Sequence, residues 1–321
     1  MSAEEDGLAG RAGAYLKMGL SADLMAMGGE GVAWVEDAHV MHTNPAGLVF
    51  LERRSVSTTL VSMALDRRMQ FVGFALPLNQ GKIRKPGQLQ GGFALGWLSA
   101  GVDQIDGRDF NGVHTENHSF GEHTFYFSFA LRPSSVIGIG FSSKLHYGRM
   151  PGLMEDGSSV SATGFGFDAG VLLRPHPALQ VGVSIRDFRS KYTWDSKKYY
   201  EQYYTDAGSQ SYDMFPRTLA AGLVWRPVRM ILLNLNAQKF DAMDVEDNSR
   251  IAFTRVRAAG GVQIQPHRLA VIRLGYRNKG FTFGGGTHFD VLGQEAGLNY
   301  AYVSDPVAPR GNHVFSWTLQ F

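Results

Sequence analysis

Lys144, His146, Asp168, Arg186, Arg255, Arg257, Arg273 and Arg277 occupy alternate positions in stretches where polar and apolar side chains take turns. The set is more basic than acidic, which is the chemistry of a site that receives a carboxylate or another anion. Against that stands an ordinary role, because Glu30, Glu36 and Asp37 upstream supply the opposite sign and such cations pair readily with them. Asp103, Asp106 and Asp109, followed by Asn111, could gather oxygen ligands for calcium, but their spacing is not that of a helix-loop calcium site. His114, Glu116, His118 and His123 crowd the same stretch without a firm zinc spacing, so a solvated loop is expected there and no metal or cofactor.

Between Arg189 and Asp213 lie Tyr192, Trp194, Tyr199, Tyr200, Tyr203 and Tyr204. Exposed on a rigid scaffold, such aromatics bury large area with little entropy loss and suit recognition of a protein partner. The alternative is packing of loops on one another or an interfacial girdle. No Gly-x-Ser-x-Gly elbow and no His-Glu-x-x-His motif occurs, so no enzyme is expected. Gly164-Phe165-Gly166 and Gly284-Gly285-Gly286 fall inside strand patterns, where glycine relieves crowding, rather than in phosphate cradles.

Composition narrows the elements that must carry these residues. A formal net charge of +2 offers no case for nucleic acid. Mean hydropathy is −0.14 and no long apolar run exists, so any membrane crossing is made by strands. Cysteine is absent, which removes thiol chemistry. The first twenty residues, starting Met1-Ser2-Ala3-Glu4-Glu5-Asp6, show no apolar core of a signal peptide, and we read the chain as a processed or recombinant form of an exported protein.

From Arg53 onward the chain breaks into segments of about ten residues with a period of two. Ile137, Ile139, Phe141, Leu145 and Tyr147 share one face, opposite Gly138, Gly140, Ser142, Lys144 and His146. Ile231, Leu233, Leu235 and Ala237 likewise oppose Asn234, Asn236 and Gln238. The pattern predicts an all-β fold, a transmembrane antiparallel barrel of about fourteen strands, with lipid on one face and a polar lumen on the other. Strands are expected near 53–65, 67–78, 89–100, 121–132, 135–147, 160–174, 178–188, 215–227, 229–239, 252–265, 268–277, 280–289, 294–302 and 312–321. Arg132-Pro133, Arg174-Pro175, Arg226-Pro227 and Gln265-Pro266 are assigned to tight periplasmic turns. Longer polar stretches near 101–120, 148–159, 189–214, 240–251 and 303–311 are assigned to extracellular loops, with a tight outer turn at Asp66-Arg67 and a long inner connection from Asn79 to Gln88 as exceptions. The chain closes on Phe315, Trp317, Leu319 and Phe321, all on one face, as the last strand of an outer-membrane barrel should.

Residues 1–52 are set apart from the barrel, 53–321, as an amino-terminal plug segment. Leu16, Leu20, Leu24 and Met27 are spaced for a short helix with Ser21 as its cap, followed by an irregular Gly28-Gly29-Glu30-Gly31. Asn44-Pro45-Ala46-Gly47 reads as a turn that latches the plug to the inner rim or, more plainly, as the loop before the first strand.

Four blocks of this segment carry a resemblance: Leu16-Lys17-Met18-Gly19, Ala26-Met27-Gly28-Gly29-Glu30-Gly31-Val32-Ala33, Glu36-Asp37-Ala38 and Asn44-Pro45-Ala46-Gly47-Leu48. Their order and spacing resemble the amino-terminal signature of the PorV/PorQ group of outer-membrane proteins, and PorV more than PorQ; the group is related in fold to FadL-type transporters. The barrel part is similar only in pattern and strand number. The resemblance implies a monomeric, FadL-like barrel in the cell outer membrane that serves type IX secretion. It would bind the carboxy-terminal domain of secreted cargo, or translocon and attachment components, through its extracellular loops, with outer-membrane lipid around it. The alternative is a FadL-like transporter of hydrophobic small molecules. A transporter implies an apolar path past the plug, and a cargo shuttle implies a sealed lumen below a protein-sized groove.

Overall fold

The computed structural model describes residues 10–78, 90–109, 111–150, 159–195, 210–243, 251–267, 269–277, 280–304 and 311–321. Its strands are β1 (Ser55–Ser62), β2 (Arg67–Pro77), β3 (Gln90–Arg108), β4 (His114–Arg132), β5 (Ile137–Met150), β6 (Val160–His176), β7 (Leu179–Phe188), β8 (Lys191–Asp195), β9 (Gln210–Met214), β10 (Arg217–Val228), β11 (Ile231–Met243), β12 (Ile251–His267), β13 (Ala270–Arg277), β14 (Gly280–Val291), β15 (Gln294–Val303) and β16 (Asn312–Gln320). All neighbours are antiparallel, and β1 pairs with β16 from Ser55↔Gln320 to Ser62↔His313, which closes the sheet. The result is a closed fourteen-strand barrel, because β8 and β9 prolong β7 and β10 instead of adding wall strands.

Alternation decides which way each side chain faces, as lipid and lumen demand opposite chemistry from neighbouring positions. Leu235 is 56% exposed on the outer face, while Asn234 beside it is fully buried inside. Phe315, Trp317 and Phe321 face outward on the closing strand, as their spacing predicts.

Two groups of turn and loop assignments change. Pro175, Pro227 and Pro266 do not end their strands; each lies within the last residues of β6, β10 or β12, where the register slips between Leu173 and His176, Trp225 and Val228, or Ile264 and His267. A bulge leaves a residue without a ladder partner, which is where a proline lacking N–H is tolerated. The stretch 101–120 is largely strand, since β3 and β4 stay paired out to Arg108↔His114 and only the tip is loop. The first outer turn is tight as expected, with Leu65 and Asp66 at φ 62° and 53° and Met63 N–H donating to the Arg67 carbonyl. The inner connection from Asn79 to Gln88 lies outside the described residues.

Inside the barrel, residues 12–51 form a plug of short turns in which nearly every side chain is buried. A 3-10 turn at Ala14–Lys17 is followed by helix α1 (Ala22–Ala26), helix α2 (Val40–Thr43) and a 3-10 turn at Pro45–Phe50. The leucine spacing from Leu16 to Met27 therefore does not make one helix. Gly19 at φ 88° separates the two turns, and Ser21 stands at the cap position of α1 without a side-chain capping bond. Inward-facing glycines let the plug backbone touch the wall: a Cβ at Gly140 would strike the Ala46 backbone, and one at Gly92 would meet that of Leu48.

Candidate functional site

The plug is fastened to the wall at three levels. Nearest the periplasmic rim, the Gln320 side-chain amide donates to the Glu36 carbonyl and Thr318 Oγ1 donates to Asp37 Oδ2. Asp37 Oδ1 lies 2.7 Å from His39 Nδ1, and His39 Nε2 is 2.8 Å from Thr59 Oγ1, which is itself 2.8 Å from Ser316 Oγ. The plug thus grips both strands of the seam that closes the barrel, β1 through Thr59 and β16 through Ser316 and Thr318. Burial alone would lower the His39 imidazole, but the Asp37 carboxylate outweighs it and holds it raised; burial likewise works against the Asp37 charge, and His39 keeps that carboxyl low.

A second fastening is Asn44, fully buried against β6. Its Nδ2 donates to the Val32 carbonyl at 2.9 Å and to the Val171 carbonyl of β6 at 3.2 Å, while Oδ1 accepts the Ala46 N–H at 3.1 Å. Pro45, Ala46 and Gly47 follow in the 3-10 turn that packs on β3, β4, β5 and β6. The structure therefore places this run against the wall inside the lumen.

The outer level is ionic and aromatic. Lys144 contacts Asp168 at 2.6 Å and also Asp187, which in turn holds Lys17 of the plug. Lys17 Nζ donates further to Thr218 Oγ1 at 2.9 Å. Burial lowers the Lys17 amine to about 8 in spite of Asp187. Arg186 meets Glu30 of the plug at 3.4 Å. Arg257 donates to the Lys17 carbonyl with its guanidinium over the Phe240 ring, and Arg277 donates to the Met18 carbonyl. Arg273, almost fully buried, donates to Gln263 and Asn299. Arg255 shares the inward face of β12 with Arg257 but is exposed toward the outer end. Lys144, Arg186, Arg257 and Arg277 are thus brought against the plug or the wall's own acids, whereas Arg273 is held by wall amides and Arg255 is exposed.

Asp187 was invisible as a site residue, although one signal existed. In β7 the even positions Gln180, Gly182, Ser184 and Arg186 face inward, so strict alternation would put Asp187 toward lipid, where a carboxylate is costly. The register slips between Phe167 and Ala169 of β6 opposite this point, and Asp187 and Arg189 take φ 58° and 55°. That bulge turns Asp187 inward and tips the outer hairpin over the lumen. The chain at Ser190 and Lys191 then crosses the inner face of β6 at Gly166 and Gly164, where any Cβ would collide with it.

The reading of 189–213 as an outward aromatic surface is corrected at Tyr192. This residue is 1% exposed and points into the barrel, because the inward tip of the hairpin reverses the face it presents. Its ring stands 4.9 Å from that of Phe215, and Phe215 lies 4.6 Å from His146. Tyr15 Oη of the plug is 2.5 Å from Thr124 Oγ1, which is 2.9 Å from His146 Nδ1, while Tyr192 Oη donates to Glu122 at 3.1 Å. Trp194 is half-buried and donates to Asp213. Tyr199, Tyr200, Tyr203 and Tyr204 lie outside the described residues. Tyr15 and Phe215, the other members of this cluster, carry no sequence signal beyond being aromatic.

At the periplasmic end a recess of about 250 Å³ opens among Glu36, Arg226, Arg229, Gln263, His288 and Glu295. Burial, with Asp23 nearby, raises the Glu36 carboxyl to about 7. Among the described residues no three His, Asp or Glu side chains converge on a metal-sized point. Asp106 instead holds Arg108 and His114, and Asp109 accepts the N–H groups of Asn111 and Val113 at the hairpin tip.

No protein-family model and no curated protein matches the chain. Solved structures do. The chain is similar to the toluene transporter TodX of Pseudomonas putida, with a TM-score of 0.64 and 14% identity over 95% of this chain and 99% of that one. It is similar to the toluene transporter TbuX of Ralstonia pickettii, at 0.60 and 14% over 95% and 99%. It is also similar to a FadL homologue of Pseudomonas aeruginosa, at 0.62 and 10% over 94% and 98%. At such identities the likeness speaks for architecture: the fold of this chain is that of the FadL-like outer-membrane barrels.

Proposed function

We propose that the protein is an outer-membrane channel that admits hydrophobic small molecules. The observation that carries this reading is the direction of the outer aromatics. Tyr192 and Phe215 are turned into the lumen and pack on His146 and on the plug's first turn at Gly13, so their apolar faces lie on the route through the barrel and are withdrawn from a protein above it. The likeness of the fold to barrels described as hydrocarbon transporters supports it. The test is entry of a labelled monoaromatic hydrocarbon into cells that lack the protein and cells that regain it; equal rates in both would defeat the proposal.

The second reading, a type IX barrel that binds secreted cargo or translocon components, rests on the four amino-terminal blocks from Leu16 to Leu48. It needs a recognition surface outside the lumen, and Tyr192 is withdrawn from that surface. A gentle-detergent pull-down from the native membrane separates the two readings, since only the second expects secreted proteins sharing one carboxy-terminal domain type.

A further inference from the structure

On four neighbouring strands the lipid-facing side changes chemistry at one row of the ladder. The outward positions of β4 run Phe129, Phe127 and Phe125, then His123 and Gly121; on β3, Leu95 and Trp97 give way to Ser99 and Gly101. On β2, Phe74 and Val72 give way to Gln70 and Arg68, and on β5, Leu145 gives way to Tyr147 and Arg149. The apolar band ends here on its extracellular side, since Arg68 stands close to the outer turn at Leu65 and Asp66. Across the seam the row of Arg68 continues as Ser62, His313, Tyr302 and Phe283, without a guanidinium. The arginine-flanked stretch is therefore local to β2–β5.

Its centre is a floor without side chains. Gly101 and Gly121 face each other across β3 and β4; the side-chain atom nearest a Cβ on Gly101 would be Arg68 Nε, at 4.0 Å, and a Cβ on Gly121 would have only His123 Nε2 near it, at 3.9 Å. Arg68 spends its terminal nitrogens on Asp103, at 3.1 and 3.3 Å, so part of its charge is already met. Arg149, opposite Gly121, donates from Nε and one terminal nitrogen to Ser159 Oγ at 3.2 and 3.0 Å, and no carboxylate holds it among the described residues. Arg149 is thus the principal anchor for an anion. Along the lower edge Trp97, His123 and Tyr147 stand stacked, with centroids 5.9 and 6.2 Å apart. Neither the Trp97 indole N–H nor the Tyr147 hydroxyl has a hydrogen-bond partner among the described residues, so both are free to serve a polar lipid head.

We propose that this patch binds a phosphorylated glycolipid of the outer leaflet, with a phosphate on Arg149, the sugar head over Gly101 and Gly121 reaching toward Arg68 Nε, and acyl chains along exposed Val72, Phe125 and Phe165. Guanidinium and phosphate form charge-assisted bonds that suit the first contact. Width selects the head group: β2 and β5 stand three ladder spacings apart, about 14 Å, which is more than one phosphodiester fills and is the scale of a disaccharide. The site is independent of whether the barrel admits small molecules or binds cargo.

The test is native mass spectrometry of the purified barrel in dodecyl maltoside, titrated with lipid A, a doubly phosphorylated and acylated disaccharide, and separately with phosphatidylglycerol. Lipid A is expected to form a one-to-one adduct about tenfold tighter than phosphatidylglycerol. Arg149→Gln removes the anchor and should weaken lipid A about tenfold. Gly121→Leu should do the same by filling the floor, and the open space at its Cβ lets the strand keep its place. Arg54→Gln, at an exposed arginine by the periplasmic end of β1, is expected to leave binding unchanged. Gel mobility of unheated samples confirms that each barrel is closed. Equal affinity for the two lipids overturns the glycolipid. Undiminished binding in both patch variants, or an equal loss with Arg54→Gln, overturns the site.

Discussion

Asn44→Ala should loosen the plug without dismantling the barrel. The side chain is fully buried and makes three hydrogen bonds, to the Val32 carbonyl, the Val171 carbonyl and the Ala46 N–H. A bond whose partner stays satisfied without it is worth about 1 kcal/mol net, whereas a buried group left unpaired costs about 1–3 kcal/mol. The Val171 carbonyl sits in a strand of the wall ladder, so the unpaired groups are the Val32 carbonyl and the Ala46 N–H. The expected loss is therefore about 3–7 kcal/mol. Asn44→Asp discriminates further: it keeps the acceptor for Ala46 but replaces the donor with an anion facing two carbonyl oxygens, and should lose at least as much. Neither variant touches the seam pairing of β1 with β16. Urea titration in detergent, followed by fluorescence of buried Trp34 in the plug, reads plug release; the mobility of unheated samples in detergent gels reads barrel closure. A plug transition shifted by less than about 1 kcal/mol would refute the assignment of Asn44 as a fastening of the plug to the wall. So would simultaneous loss of plug and barrel, since the bonds of Asn44 and the seam of β1 with β16 are separate.

Gly164→Val places side-chain atoms where the Lys191 carbonyl lies, so the hairpin cannot seat over β6. Limited proteolysis is expected to cut the outer hairpin in this variant while the gel mobility of the closed barrel is kept. Glu36 is raised to about 7 by burial, with Asp23 adding to it. A carboxyl raised on folding holds a proton that the unfolded chain has released, so stability falls as pH rises from the ordinary glutamate range through 7, and the penalty is complete above it. Glu36→Gln should abolish that slope and gain on the order of 1–2 kcal/mol at pH 8 after allowance for solvent screening, read from thermal scans at stepped pH.

The wall was legible in the sequence because a membrane barrel must satisfy two solvents with one chain. Alternation at Ile231 to Gln238 or Phe315 to Phe321 follows from lipid on one side and plug or water on the other, and no longer-range information is needed to see it. The strand positions and the closing aromatic face follow from the same partition. Buried cations could likewise be named in advance, since Lys144, Arg186, Arg257 and Arg273 fall on the inward phase. What each one holds could not. Lys17 and Asp187 are 170 residues apart, and Asp187 faces the lumen only because a bulge in β7 breaks the alternation that predicts the opposite. Tyr192 deceived for the same reason: local spacing places an aromatic on a loop, and only the direction of the bend above Gly164 and Gly166 sets whether it faces solvent or the plug. Periodicity is a local property that the sequence determined by itself; the bend, the contact of Asp187 with Lys17 and the docking of Asn44 are closures between distant segments, and only the tertiary structure decided them.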